Sequence, residues 1–195
     1  MDRRSIPNIL TVGRLILCPA FIILAAQPGE TLRWIAWVLL VVALCTDVVD
    51  GQLARRHGWV SKFGVYLDPA VDKIVHLSAF FQTVMWGYIP LWTVLVMLGR
   101  ELVVDSVRSG AAMEGKLVPA NWMGKTKALC MSLTVGTAFW VRAYFTVPGS
   151  PWEKYWLDGV LWMSYGTMAI SVILGLMFLN VHKNLFVDRS ENKTA

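Results

Sequence analysis

Apolar runs of about twenty residues, separated by short polar connections, repeat from one end of the chain to the other. That length is what a helix needs to cross a hydrocarbon layer. The pattern predicts six helices, at residues 8–26, 32–54, 64–86, 90–110, 124–147 and 155–180. Turn-forming residues fill several of the gaps: QPGE at 27–30, GYIP at 87–90 and VPGSPWEK at 147–154. The first run follows Arg3 and Arg4, as a secretion signal would. Arg14 interrupts it, however, Pro19 sits in its middle and no A-x-A cleavage site follows. Nor is Leu15–Cys18 a lipoprotein processing site, because Leu17 fills the place of a small residue. The first helix is therefore expected to be retained. There is no evident repeat or low-complexity tract, and the tail SENKTA is expected to be disordered. The fold class that follows is all-α: a polytopic membrane protein with six transmembrane helices, forming a single domain over residues 1–195.

Composition excludes the ordinary soluble domain. Of 195 residues 56% are hydrophobic and only 16% charged, with ten tryptophans and a mean hydropathy of +0.53. The net charge of +5 matters less than where it falls. Basic residues gather at Arg3 and Arg4, at Arg55, Arg56 and Lys62, at Arg100, Arg108, Lys116, Lys125 and Lys127, and at Lys183, Arg189 and Lys193. The intervening connections hold Arg33, none in 87–91, and Arg142 with Lys154. This alternation is the positive-inside pattern, which places both termini in the cytoplasm. Trp34, Trp37, Trp86, Trp92, Trp140, Trp152 and Trp156 gather near the opposite ends, as an aromatic belt does. Charges that flank apolar spans do not form the single basic patch of a nucleic-acid binder, so no nucleic-acid partner is expected. Cys18, Cys45 and Cys130 stand singly inside apolar runs and read as small core residues.

Four carboxylates change the picture. In DVVDGQLARRHGWVSKFGVYLDPAVD, residues 47–72, Asp47 and Asp50 are spaced i, i+3 and Asp68 and Asp72 i, i+4, so on helices each pair shares a face. Burying such groups in lipid costs roughly 2.5–3.5 kcal/mol each, which makes them functional candidates. Solvated loop residues or helix caps would account for one of them more readily than for four on helical spacing. Four converging carboxylates repel one another unless cations intervene. Two divalent ions balance them, and all-oxygen ligands suit Mg²⁺ or Mn²⁺. Gly51 and Gly64 bare the backbone for close approach of a bulky ligand such as a nucleotide. Arg55 is placed to reach a phosphate. Pro69 either kinks the third helix or opens it at its first position. His76, one turn beyond Asp72, reads as a core histidine bonded to a neighbour; His57 and His182 read as surface residues.

A second constellation is GRELVVDSVRSG at 99–110 with MGKTK at 123–127. Arg100 and Arg108 lie two turns apart on one face, and with Lys125 they form a candidate anion pocket. Snorkelling arginines at a helix flank are the alternative. Asn8, Thr11 and Arg14 share a face of the first helix, and Arg14, deep in an apolar run, needs an acidic or phosphate partner.

The run Asp47-x2-Asp50-Gly51-x2-Ala54-Arg55-x8-Gly64-x3-Asp68-x3-Asp72 resembles, position for position, the signature of the CDP-alcohol phosphotransferase family. PNILTVGR, RELVVDSVR and NWMGKTK are similar to the branch of that family that makes phosphatidylglycerophosphate, over roughly residues 6–128. The resemblance implies that Asp47, Asp50, Asp68 and Asp72 hold two divalent cations, Mg²⁺ or Mn²⁺, and that Asp72 is also the catalytic base on the acceptor hydroxyl. It implies that Gly51, Ala54, Arg55 and Gly64 bind the nucleotide, and that Arg100, Arg108 and Lys125 bind the acceptor's phosphate. The reaction implied moves a phosphatidyl group from CDP-diacylglycerol to sn-glycerol 3-phosphate, releasing CMP. It is implied for a homodimer of six-span subunits in the bacterial cytoplasmic membrane, with a lipid-accessible active-site cavity facing the cytoplasm. Inositol phosphate or serine as acceptor is the alternative within the family, and a divalent-cation transporter is the alternative outside it. Two positions depart from the family's pattern: Asp105, where relatives carry a small or hydroxyl residue, and Ala128, where they carry a threonine. The extra carboxylate of Asp105 is expected to compete for the charge of Arg108.

Overall fold

The computed structural model describes the backbone of residues 6–57, 62–113, 122–145 and 150–181, and the side chains of these except at 6–11, 47–57, 62–66, 123 and 151. Among them are six helices and no strand: α1 (Ile6–Ala26), α2 (Glu30–His57), α3 (Lys62–Met85), α4 (Leu91–Met113), α5 (Trp122–Tyr144) and α6 (Pro151–Val181). The chain is all-α, as its apolar periodicity predicts. The expected tail, Asn8, Thr11 and the outlying basic residues at both ends fall outside the described side chains.

Local chemistry sets the helix ends. Gly87 has a φ of 76°, which a glycine adopts without penalty. Its N–H donates to the Val84 carbonyl at 2.8 Å, and the Tyr88 N–H donates to that of Thr83 at 3.1 Å. This paired closure satisfies the carbonyls that α3 leaves orphaned. Three residues later α4 starts, with the Thr93 hydroxyl donating to the Pro90 carbonyl at 2.7 Å. Pro151 opens α6 at the position where its missing N–H costs nothing, with Glu153 in the first turn. Pro69 lies two turns inside α3, which excludes the reading of it as a helix opener.

The helices pack so that α1 lies against α2 and α3, α5 against α2, α3 and α6, and α4 against α3 and α6. Phe21 of α1 meets Phe139 of α5 edge-on at 5.8 Å, and Trp86 meets the same ring at 4.8 Å. Polar bonds cross between helices as well. Trp37 Nε1 donates to the Gly136 carbonyl at 3.1 Å, and the hydroxyls of Thr134 and Thr167 bond at 2.8 Å. Small and hydroxyl residues serve this purpose where apolar surface alone does not drive helices together.

Among the described residues one helix, Trp152–Val181, is long and apolar enough to cross a membrane; Val12–Ala26 is apolar but shorter. The apolar stretches of α3 and α4 are interrupted by Asp68, Asp72 and Lys73 and by Arg100, Glu101, Asp105 and Arg108. Those residues all lie toward one end of the bundle, and they build the site.

Candidate active site

The four aspartates come from two helices joined by residues 58–61. At about 1.5 Å per residue, Asp50 and Asp47 lie roughly 10 and 15 Å along α2 from its last residue. Asp68 and Asp72 lie roughly 9 and 15 Å along α3 from its first. The helices touch and only four residues join them, so the two pairs stand at matching depths from the connection. The side chains of Asp47, Asp50, Ala54 and Arg55, and the surroundings of Gly51 and Gly64, lie outside the described residues.

Asp68 and Asp72 have different partners. Arg14 of α1, only 2% exposed, brings Nη2 to 3.9 Å from Asp68 Oδ1. An arginine so deep in an apolar helix demands an anion, and Asp68 supplies one. Asp72 is held by His76, one turn on. Its Nδ1 lies 3.0 Å from Asp72 Oδ1 and 2.9 Å from the Asp72 carbonyl, while its Nε2 meets Ser132 Oγ of α5 at 2.9 Å. With Nδ1–H donating to Asp72, Nε2 accepts from the Ser132 hydroxyl, so one tautomer satisfies every contact. The core histidine expected from the sequence is there, and the neighbour it bonds is the aspartate itself.

Beside Asp72 a cavity of about 200 Å³ opens between α3, α4, α5 and α6. Arg100 and Arg108 line it, two turns apart on α4 as their spacing requires. Glu101, 6% exposed, accepts from Arg100 Nη1 at 2.7 Å and from Lys127 Nζ at 2.7 Å. One carboxylate thus serves two cations. Arg108 lies with its guanidinium 5.6 Å from the centre of the Phe178 ring. Among the described residues no carboxylate pairs with it. Asp105 does not compete for Arg108: it takes Lys73 as its partner instead, across the α3–α4 contact. Lys73 and Asp105 cancel, Arg100 and Lys127 exceed Glu101 by one charge, and Arg108 adds another. Setting Asp72 aside, the wall carries two uncompensated positive charges, which matches a phosphomonoester dianion.

Lys125 stands on the exposed face of α5 and does not line the cavity; Lys127 does. Two residues are about 200° apart around a helix. Gly124, Lys127, Ala128 and Met131 share the face toward α3 and α4, and Lys125 is turned from it. That face was legible as a periodicity. Lys73, by contrast, carried no signal that it would meet Asp105, 32 residues on.

The model of the CDP-alcohol phosphatidyltransferase family matches residues 4–177. A Mycobacterium tuberculosis protein named "Probable phosphatidylglycerophosphate synthase" is 35% identical over 135 residues, 68% of this chain and 64% of the relative, so the match spans less than two thirds of that protein's length. A CDP-diacylglycerol–glycerol-3-phosphate 3-phosphatidyltransferase of Bacillus subtilis is 31% identical over 181 aligned positions, 77% of this chain and 93% of the relative. The Escherichia coli protein of the same name is 33% identical over 141 residues, 70% of this chain and 77% of the relative.

Proposed function

The chain belongs to the CDP-alcohol phosphatidyltransferase family, and on that premise we propose that it transfers a phosphatidyl group from CDP-diacylglycerol to sn-glycerol 3-phosphate, releasing CMP. The observation that carries this reading is the cavity with Asp72 on one wall and two excess positive charges on the others. A phosphorylated acceptor fits that charge. Inositol phosphate would fit it too, whereas serine, which has no phosphate, leaves it unbalanced. The names of the bacterial relatives favour glycerol 3-phosphate.

Arg100, Arg108 and Lys127 hold the acceptor's phosphate, with Lys125, the residue matched by motif, outside the cavity wall. Asp72 accepts the proton of the acceptor hydroxyl while His76 fixes its carboxylate. The freed oxygen bonds to the phosphorus that carries the diacylglycerol, and the bond from that phosphorus to the CMP oxygen breaks. Gly51, Ala54, Arg55 and Gly64 hold the nucleotide. Asp47, Asp50, Asp68 and Asp72 are the proposed holders of two divalent cations, Mg²⁺ or Mn²⁺. Their fit rests on a donor set made only of carboxylate oxygens and on the matching depths of the two pairs. Bound there, the cations supply charge neutralisation for the diphosphate and the leaving CMP.

The donor is a lipid, and the reading places the single domain of residues 1–195 in the bacterial cytoplasmic membrane. It has six spans, a cytoplasm-facing cavity and both termini on that side, as a homodimer. Support comes from large apolar side chains exposed on every helix, among them Ile16, Val38, Phe81, Leu102, Leu133 and Leu176. A cation transporter would need acidic groups with a path to both sides, whereas these cluster toward one end and sit among cations.

The test is CMP release from CDP-diacylglycerol with glycerol 3-phosphate, inositol phosphate and serine in competition. Glycerol 3-phosphate should be consumed in preference. Chelation should abolish turnover and added Mg²⁺ or Mn²⁺ restore it, and Asp72→Asn should lower kcat by about a thousandfold or more. Full turnover by Asp72→Asn, or preference for serine, overturns the assignment.

A further inference from the structure

Helix α6 enters the cavity wall with Leu174 and Phe178, and the residue between them that matters most has no side chain. The Arg100 side chain crosses α6 at Gly175. A Cβ on Gly175 would stand 2.7 Å from Arg100 Nε, 2.9 Å from its Cγ and 3.3 Å from its Cδ. These are atoms in the middle of the arginine, not its flexible tip. The tip itself is tethered at 2.7 Å to Glu101, which is buried and also bound to Lys127. Arg100 therefore has no room to swing aside without breaking that network. Its Nε, turned against α6, is buried without a hydrogen-bond partner, as expected of a chain pressed onto bare backbone. Gly175 is not at a positive φ, so the close approach of Arg100 is what its missing side chain permits. Glycine inside a helix is less favourable than alanine, so a helical glycine here is explained by what its bare backbone admits.

We infer that Gly175 is a specificity-determining position of the acceptor pocket: its empty side, together with Glu101, sets where the Arg100 guanidinium meets the phosphate of a small phosphorylated alcohol. This rests on reading the cavity as the acceptor-phosphate site. Gly175 touches no substrate in this role and acts through Arg100, as a positioning residue. It also brings α6, which the aspartate motif does not reach, into acceptor recognition.

The experiment is steady-state kinetics of CMP release by the full chain, comparing wild type, Gly175→Ala, Arg100→Ala and the double variant. Gly175→Ala should raise the KM for glycerol 3-phosphate about tenfold, the loss of one charge-assisted contact, with the KM for CDP-diacylglycerol within twofold of wild type. In the Arg100→Ala background the same change should have no further effect, because the atoms it would strike are gone. Additive effects in the two backgrounds, or an equal rise in both KM values, overturn the proposal. Should Gly175→Ala fail to fold, the double variant should fold, and its failure to do so is equally fatal. Inorganic phosphate separates this proposal from the broader reading. It should raise the thermal unfolding midpoint of wild type, and Gly175→Ala should need about tenfold more phosphate for the same rise. A wild type that binds phosphate but ignores glycerol 3-phosphate removes that alcohol as the acceptor and leaves Gly175 setting Arg100 for another phosphorylated one. A wild type with neither response removes both.

Discussion

Lys125 and Lys127 are alike in charge and motif but point to different sides of α5, and only Lys127 reaches Glu101. Lys127→Ala should therefore raise the KM for glycerol 3-phosphate about tenfold, while Lys125→Ala changes it less than twofold; the reverse order in initial-rate assays would restore the motif-based choice. His76 acts on Asp72 by geometry, through two contacts of about 3 Å anchored by Ser132. His76→Leu should lower kcat about tenfold with little change in either KM, and His76→Asn, which keeps a donor, should recover part of the loss. The sequence made the acids and arginines readable because fixed spacing on a helix implies a shared face. It concealed the pairings. Nothing in the one-dimensional pattern says that Glu101 would serve two cations or that Lys73 would spend its charge on Asp105.

Each helix appears where the length of its apolar run and its flanking turn residues put it, because both signals are local. The boundaries that moved did so for a reason. Helix α2 continues through residues 55–57 although they are polar, since arginine is a good helix former and polarity ends a span without ending a helix. How the helices pair was less legible, because α5 touches α2, α3 and α6 through residues scattered over its length. Phe139 is the centre of that packing, flanked by Phe21 and Trp86. Phe139→Ala should destabilise the fold by about 3–5 kcal/mol, read as a drop in the unfolding midpoint in detergent. Phe81→Ala, on the exposed side of α3, is the control and should cost less than about 1 kcal/mol.

At the scale of the molecule, every helix exposes large apolar side chains, while Asp72, Lys73, Arg100, Glu101, Asp105, Arg108 and Lys127 surround one cavity, an arrangement that suits the proposed catalyst, with a lipid donor and a water-borne acceptor. Residues 1–195 expressed in bacteria should stay in the membrane fraction after alkaline carbonate washing and leave it only in detergent; recovery in the wash would count against six spans. The contact between Arg14 and Asp68 has a practical corollary for anyone handling this protein. A shortened version beginning beyond Ala26 would retain Asp47, Asp50, Asp68 and Asp72 yet lose the guanidinium against which Asp68 rests. Choice of start codon, and of any fusion partner placed ahead of it, is thus a choice about the proposed reaction centre as well as about the first helix.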